Sequence, residues 1–327
     1  MESSQLVPTT TETAAIVGPS TVRQRSVGLS DLKVFPLAIS GNVFGWTANR
    51  ESATAILDTY ASQGGNFIDT ADSYAAGESE SIIGAWLEAK GNRDRIVLAT
   101  KVGKSADDPG LTAPAVTRAV HASLTRLGVD YIDLLYLHID DESVSFEETL
   151  LAVDELIRAG KVRYFGGSDH TGNRLIEARI ASAQLGVAPM VALQNSYSLV
   201  HRKEYELGLA DVAGRQGLGV MPRFALASGF LSGKYRTKAD LPSHDRVAEL
   251  TRYLNKRGLK VVNALEAIAR AHDCAPATIA IAWLLTKPNI VAPVASASKP
   301  EQVLDLTAAA TVQLTRHQVA ELDRVSG

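Results

Sequence analysis

The sequence predicts an α/β protein of the (β/α)8 barrel (TIM barrel) class, and three observations lead there. From Val34 onward a short apolar run and a helix-patterned segment alternate eight times, the signature of parallel strands joined by helical crossovers. About 300 residues in eight such units suits a closed barrel with insertions. The rival architecture, a doubly wound sheet binding a dinucleotide, should carry Gly-x-Gly-x-x-Gly after an early strand, and the chain has none.

In chain order the apolar runs are residues 35–39, 66–68, 95–99, 132–137, 162–165, 190–193, 218–221 and 290–294, each short enough for a strand buried on both faces. Between them the spacing predicts helices over 53–63, 79–89, 114–127, 146–159, 174–185, 260–271 and 275–286. Several stop at a glycine, as at Gly64, Gly128, Gly160 and Gly186, which accepts the left-handed conformation that closes a helix. The connection after the seventh run, residues 223–259, is too long for an ordinary turn and is expected to lie over the C-terminal face of the barrel as a functional loop. Residues 1–24 lack a basic start and an apolar core, so they read as a mobile tail rather than a signal peptide, with the barrel over 25–327.

Composition narrows the function classes. Lys plus Arg number 33 against 36 Asp plus Glu, a net charge of −3, without the basic excess of a nucleic-acid or anionic-membrane binder. No apolar run approaches the roughly 20 residues of a membrane span. The single cysteine, Cys274, excludes an intrachain disulfide and a cysteine-built zinc site, and a reducing cytoplasm is the expected compartment.

Barrel enzymes gather their reacting groups at the C-terminal ends of the strands. There the second run ends in Asp69, the third in Lys101 and the fourth in His138, with Tyr74 in the loop after Asp69. Alone, each has an ordinary explanation: a loop anchor, a solvated ammonium, a structural imidazole, a rim aromatic. Together they are four titratable groups on the one face where this fold does chemistry. Lys101 beside a phenol is expected to lower the tyrosine pKa, Asp69 to hold the lysine, and His138 to orient a carbonyl. That is a tuned general acid with an electrophilic helper, suited to carbonyl reduction or alcohol oxidation.

The segment Asn66-Phe67-Ile68-Asp69-Thr70-Ala71-Asp72-Ser73-Tyr74, followed by Gly77-Glu78-Ser79-Glu80, resembles a signature of the aldo-keto reductases. So do the stretches ending in Lys101, His138 and Ser168, the run Leu193-Gln194-Asn195-Ser196-Tyr197, and Leu226-Ala227-Ser228-Gly229-Phe230-Leu231-Ser232-Gly233-Lys234. The resemblance covers roughly residues 25 to 315. It implies an oxidoreductase that moves a hydride between NADP(H), or NAD(H), and a small carbonyl or alcohol, with Asp69, Tyr74, Lys101 and His138 as the catalytic tetrad. It further implies that Ser168 and Gln194 hold the nicotinamide carboxamide, that Leu226, Ser228, Gly229, Leu231 and Lys234 wrap the pyrophosphate, and that Ser296, Ser298, Lys299 and Gln302 receive the adenosine. Gly41 and Asn42 would border the nicotinamide, and Phe44, Trp46 and Tyr197 the substrate.

Four positions depart from that pattern. Asp169 replaces the family's asparagine, Arg223 replaces the aromatic expected to stack on nicotinamide, Ser298 replaces an arginine for the 2′-phosphate, and Leu306 replaces an asparagine at the adenine. Asp169 and Arg223, two strand spacings apart, are expected to neutralise each other at the nicotinamide end. NADP(H) is favoured on family habit, with its margin over NAD(H) reduced by Ser298. Rival readings are a metal-dependent hydrolase using Asp69, His138 and His170, a Schiff-base lyase using Lys101, and a non-catalytic nicotinamide-binding subunit. The hydrolase lacks its His-x-His, since Gly41-Asn42-Val43 follows the first run.

Overall fold

The computed structural model describes residues 22–241 and 247–327. Residues 1–21 of the expected tail lie outside the described residues. A hairpin opens the described chain: β1 (Arg25–Ser26) pairs antiparallel with β2 (Lys33–Val34). The barrel strands follow as β3 (Ala38–Ser40), β4 (Phe67–Asp69), β5 (Val97–Val102), β6 (Ile132–Leu137), β7 (Val162–Ser168), β8 (Ala192–Gln194), β9 (Gly219–Val220) and β10 (Val294–Ala295). They form one eight-stranded parallel sheet in the order β10-β3-β4-β5-β6-β7-β8-β9. A parallel bridge between Val220 and Ile290 brings the last unit against β9 and closes the ring.

Helices α1 (Arg50–Ser62), α2 (Glu78–Lys90), α3 (Ala113–Leu127), α4 (Phe146–Arg158), α5 (Gly172–Leu185) and α6 (Ala210–Arg215) link consecutive strands from β3 to β9. After β9 come α7 (Val247–Tyr253), α8 (Lys256–Ala271) and α9 (Pro276–Leu285), and after β10 come α10 (Pro300–Ala308) and α11 (Arg316–Ser326). Local chemistry starts the helices where they start. Asn49, Ser145, Thr171, Asn255 and Thr315 each accept a hydrogen bond from a first-turn backbone N–H, satisfying a donor the helix cannot satisfy itself.

Proline explains two strand boundaries that differ from the apolar runs. The first run begins at Phe35, but Pro36 has no N–H to give and regular pairing starts at Ala38. The eighth run is split: Val291 donates to Val220, while Val294 and Ala295 pair with β3 beyond Pro293. The fifth run extends to Ser168 instead of ending at Phe165. Glycine permits this, since a side chain at Gly166 would stand 2.4 Å from the Ala192 carbonyl oxygen.

The core has two layers. Inside the barrel, Ala38, Phe67, Ala99, Leu134, Tyr136, Ala192 and Met221 pack with Val27, Leu32 and Val34 of the hairpin, which plugs the N-terminal end. Outside, the helices lay their apolar faces on the strands, as Leu150, Val153 and Leu156 of α4 do. The floor is thus filled and the chemistry is left to the opposite rim.

Candidate active site

Strand register sets Asp69 and Lys101 at neighbouring strand ends, and the next strand delivers His138. The Lys101 ammonium donates to Asp69 Oδ2 at 2.6 Å, to the Thr70 carbonyl at 2.9 Å and to the Tyr74 hydroxyl at 3.4 Å. Gln194 Nε2 donates to the other Asp69 oxygen at 2.8 Å, so that carboxylate is held from both sides. The His138 ring meets Tyr74 edge-on at 6.0 Å, and its buried Nδ1 has no hydrogen-bond partner. Below them the Tyr136 ring closes the barrel interior, fully buried and 6.0 Å from the Lys101 nitrogen.

Burial and charge tune these groups. Burial drives the Tyr74 phenol above its ordinary pKa, and Lys101 only partly offsets this, so the net shift is upward rather than the lowering expected from sequence. Burial alone would lower Lys101, but Asp69 and Tyr74 outweigh it and the ammonium is held charged. His138 is pushed down to about 2 by burial and then by the charges of Lys101, Lys104 and Arg223, which keeps it neutral.

Tyr74 and His138 face a cleft of about 770 Å3 that runs across the rim, with Lys101 and Asp69 fully buried and not among its lining residues. Of the residues expected to bind cofactor or substrate, Asn42, Trp46, Gln194, Arg223, Leu226, Ser228, Gly229, Lys234, Ser296, Ser298 and Gln302 line it with Tyr74 and His138. The long connection after β9 supplies much of this wall, as expected, and its residues 242–246 lie outside the described chain. Two features suit an extended dinucleotide. At Gly229 (φ +92) a Cβ would meet nothing closer than 3.7 Å, leaving backbone open to close approach, and the Lys234 ammonium stands nearby. Ser228 is tied by its hydroxyl to Glu249, which places a carboxylate on the same wall.

Seven expected contacts do not line the cleft. Gly41 sits against α2, where its carbonyl accepts from Ser79 Oγ at 2.8 Å and a Cβ would strike that hydroxyl. Phe44 is fully buried in the outer core. Tyr197 is buried against Tyr205 and Trp283, its hydroxyl donating to Glu206 at 2.7 Å. Leu231 is fully buried in the core, and Lys299 is exposed at the cap of α10. Ser168 is buried with its hydroxyl unpaired. Asp169 acts at one remove: both its oxygens accept from Arg223, at 3.0 and 2.9 Å, so the expected neutralising pair is formed.

Sequence reasoning missed Lys104, Glu249 and Asp305, all in the cleft wall. Lys104 lies three residues beyond Lys101, a position the strand-end rule could have included. His170, invoked for a metal site, instead aims Nδ1 at the Ser168 carbonyl 2.9 Å away and stacks on Phe146.

Comparison with known proteins agrees with the geometry. The family model described as Aldo/keto reductase family matches residues 38–326. Norsolorinic acid reductase B of Dothistroma septosporum is 31% identical over 314 residues, covering 90% of this chain and 79% of the relative. A probable voltage-gated potassium channel subunit beta of Arabidopsis thaliana is 32% identical over 294 residues, covering 86% of this chain and 89% of the relative. Its counterpart in Oryza sativa is 31% identical over 296 residues, covering 87% and 90%. Motif order, barrel and family match together mean that this chain belongs to the aldo/keto reductase family.

Proposed function

We propose that the chain is an NAD(P)(H)-dependent oxidoreductase interconverting a carbonyl and an alcohol, with Tyr74 as the proton donor and acceptor. The observation that carries this is one ammonium, Lys101, bonded at once to Asp69 and to the Tyr74 hydroxyl beside a neutral imidazole. A phenol with a raised pKa is protonated at neutral pH and so has a proton to give. As the carbonyl oxygen takes that proton, the phenolate left behind is stabilised by the fixed charge of Lys101, which Asp69 holds in place. His138, uncharged, can hydrogen-bond the same oxygen without competing as an acid. The nicotinamide, when bound, supplies or accepts the hydride.

Asn42, Gln194 and Arg223 would border the nicotinamide, Leu226, Ser228, Gly229 and Lys234 the pyrophosphate, and Ser296, Ser298 and Gln302 the adenosine. Lys299 stands off the cleft while the Asp305 carboxylate stands on it. We infer that the expected preference for NADP(H) is shallow, because Ser298 brings no guanidinium to a 2′-phosphate and Asp305 would repel one. A purely cofactor-binding role, suggested by the relatives named as channel subunits, does not account for the assembled tetrad. A panel of aldehydes, ketones and alcohols followed by nicotinamide absorbance with both cofactors tests the reading. Turnover with NADPH and NADH at comparable efficiency is expected, and binding of either cofactor with no turnover on any compound would favour the subunit role.

A further inference from the structure

The charges at the reacting end of the cleft do not cancel. Lys101 is matched by Asp69 beneath the Tyr74 hydroxyl. One layer outward, Lys104 and Arg223 both line the cleft, and both depend on the same carboxylate, Asp169. Arg223 engages both its oxygens at 2.9 and 3.0 Å, leaving Lys104 a single loose contact at 3.7 Å. Asp169 itself does not line this cleft; with Arg223 it borders a neighbouring cavity, so its charge is not presented to the cleft alone. The two carboxylates that do line the cleft among the described residues, Glu249 and Asp305, come from α7 and α10, and Glu249 is engaged by Ser228. His138 adds no charge. One unit of positive charge is therefore in surplus near His138, on a half-exposed lysine whose ammonium is poorly paired. Burial and the repulsion of Arg223 lower its pKa despite Asp169, the mark of a cation short of a partner.

We propose that Lys104, backed by Arg223, anchors an anionic group of the substrate, so that the carbonyl compound reduced here carries a carboxylate. This rests on the proposed reaction at Tyr74 but assigns a separate residue to recognition. A carboxylate on the substrate would take the ammonium's free donors and complete the charge balance that Asp169 leaves unfinished. Trp46 lines the same cleft and offers an apolar surface for an aromatic or extended carbon frame.

The test pairs 4-carboxybenzaldehyde with its methyl ester, which share the reacting carbonyl and differ in charge. The free acid is expected to be the better substrate through a lower KM. Its kcat/KM advantage over the ester should fall about tenfold in Lys104→Met, the scale of one charge-assisted contact, and persist in Lys104→Arg. An acid no better than the ester in the parent protein, or an advantage untouched by Lys104→Met, would overturn the proposal. Calorimetric titration of 4-(hydroxymethyl)benzoate and its methyl ester reads the same contrast without turnover. If neither aldehyde is reduced but the acid still binds more tightly in a Lys104-dependent way, the anion site stands and the proposed reaction fails. Equal binding of acid and ester would remove the anion site whatever the activity.

Discussion

At Asp169 the backbone is left-handed (φ 59), a conformation aspartate tolerates better than most side chains, and its carboxylate is turned onto Arg223. In the sequence each residue stands out only against the resemblance, yet their strand positions already suggested that they meet. Lys104 was less legible: its place just past a strand end was a signal, but nothing in the sequence marks which side of a loop faces inward. Phe44 and Tyr197 fail for the converse reason: an aromatic residue near a strand end serves a core as readily as a pocket. If Arg223 borders the nicotinamide, its charge should disfavour the oxidised, positive ring over the reduced, neutral one. Arg223→Tyr should then raise the affinity for oxidised relative to reduced cofactor by up to about fivefold, since Asp169 and water cancel most of the repulsion. Asp169→Asn should shift the ratio the other way. Fluorescence titration of both cofactor forms decides it, and ratios within about twofold across the three proteins would place Arg223 away from the ring.

Strand and helix alternation was readable because buried parallel strands are continuous apolar runs and their helices stop at glycine. The hairpin of β1 and β2 was not, since two-residue strands leave no period to read. Its fit is nonetheless close. Gly28 takes φ +50, and a Cβ there would lie 2.2 Å from the Val191 carbonyl oxygen and 2.8 Å from that of Gly217. Both contacts are backbone at the mouth of the barrel floor, so neither can swing aside. Gly28→Ala should cost roughly 2–4 kcal/mol through strain and displacement of the plug. Urea unfolding with an unchanged slope and a lowered midpoint would show this, whereas an unshifted midpoint would mean that the hairpin does not brace the barrel.

At the scale of the whole molecule, stability should depend on pH through groups buried at the rim. Asp72, nearly inaccessible, is raised to about 7 by burial and then by the charge of Glu80, which outweigh the backbone N–H groups of Ser73 and Gly103 and the charge of Arg126. A carboxyl with a raised folded pKa stabilises fully below its unfolded pKa near 4, and the contribution is lost as pH rises through about 7. His138 acts in the opposite sense: with its folded pKa at about 2, stability is present above pH 6.5 and lost on acidification. Asp72→Asn should therefore raise Tm at pH 8 by about 2–4 °C and change it little at pH 4. Equal shifts at both pH values would mean that Asp72 does not titrate on folding. Such a carboxyl is invisible to sequence reading, because its cost depends on what surrounds it.

The central claim is that Tyr74 moves the proton while a nicotinamide moves the hydride, and Tyr74→Phe tests it most directly. That variant keeps the ring against His138 and removes only the hydroxyl that Lys101 contacts. Cofactor affinity, followed by fluorescence, should be retained, while carbonyl turnover falls on the order of 10²-fold or more. Turnover near that of the parent protein, with cofactor bound equally well, would contradict the account.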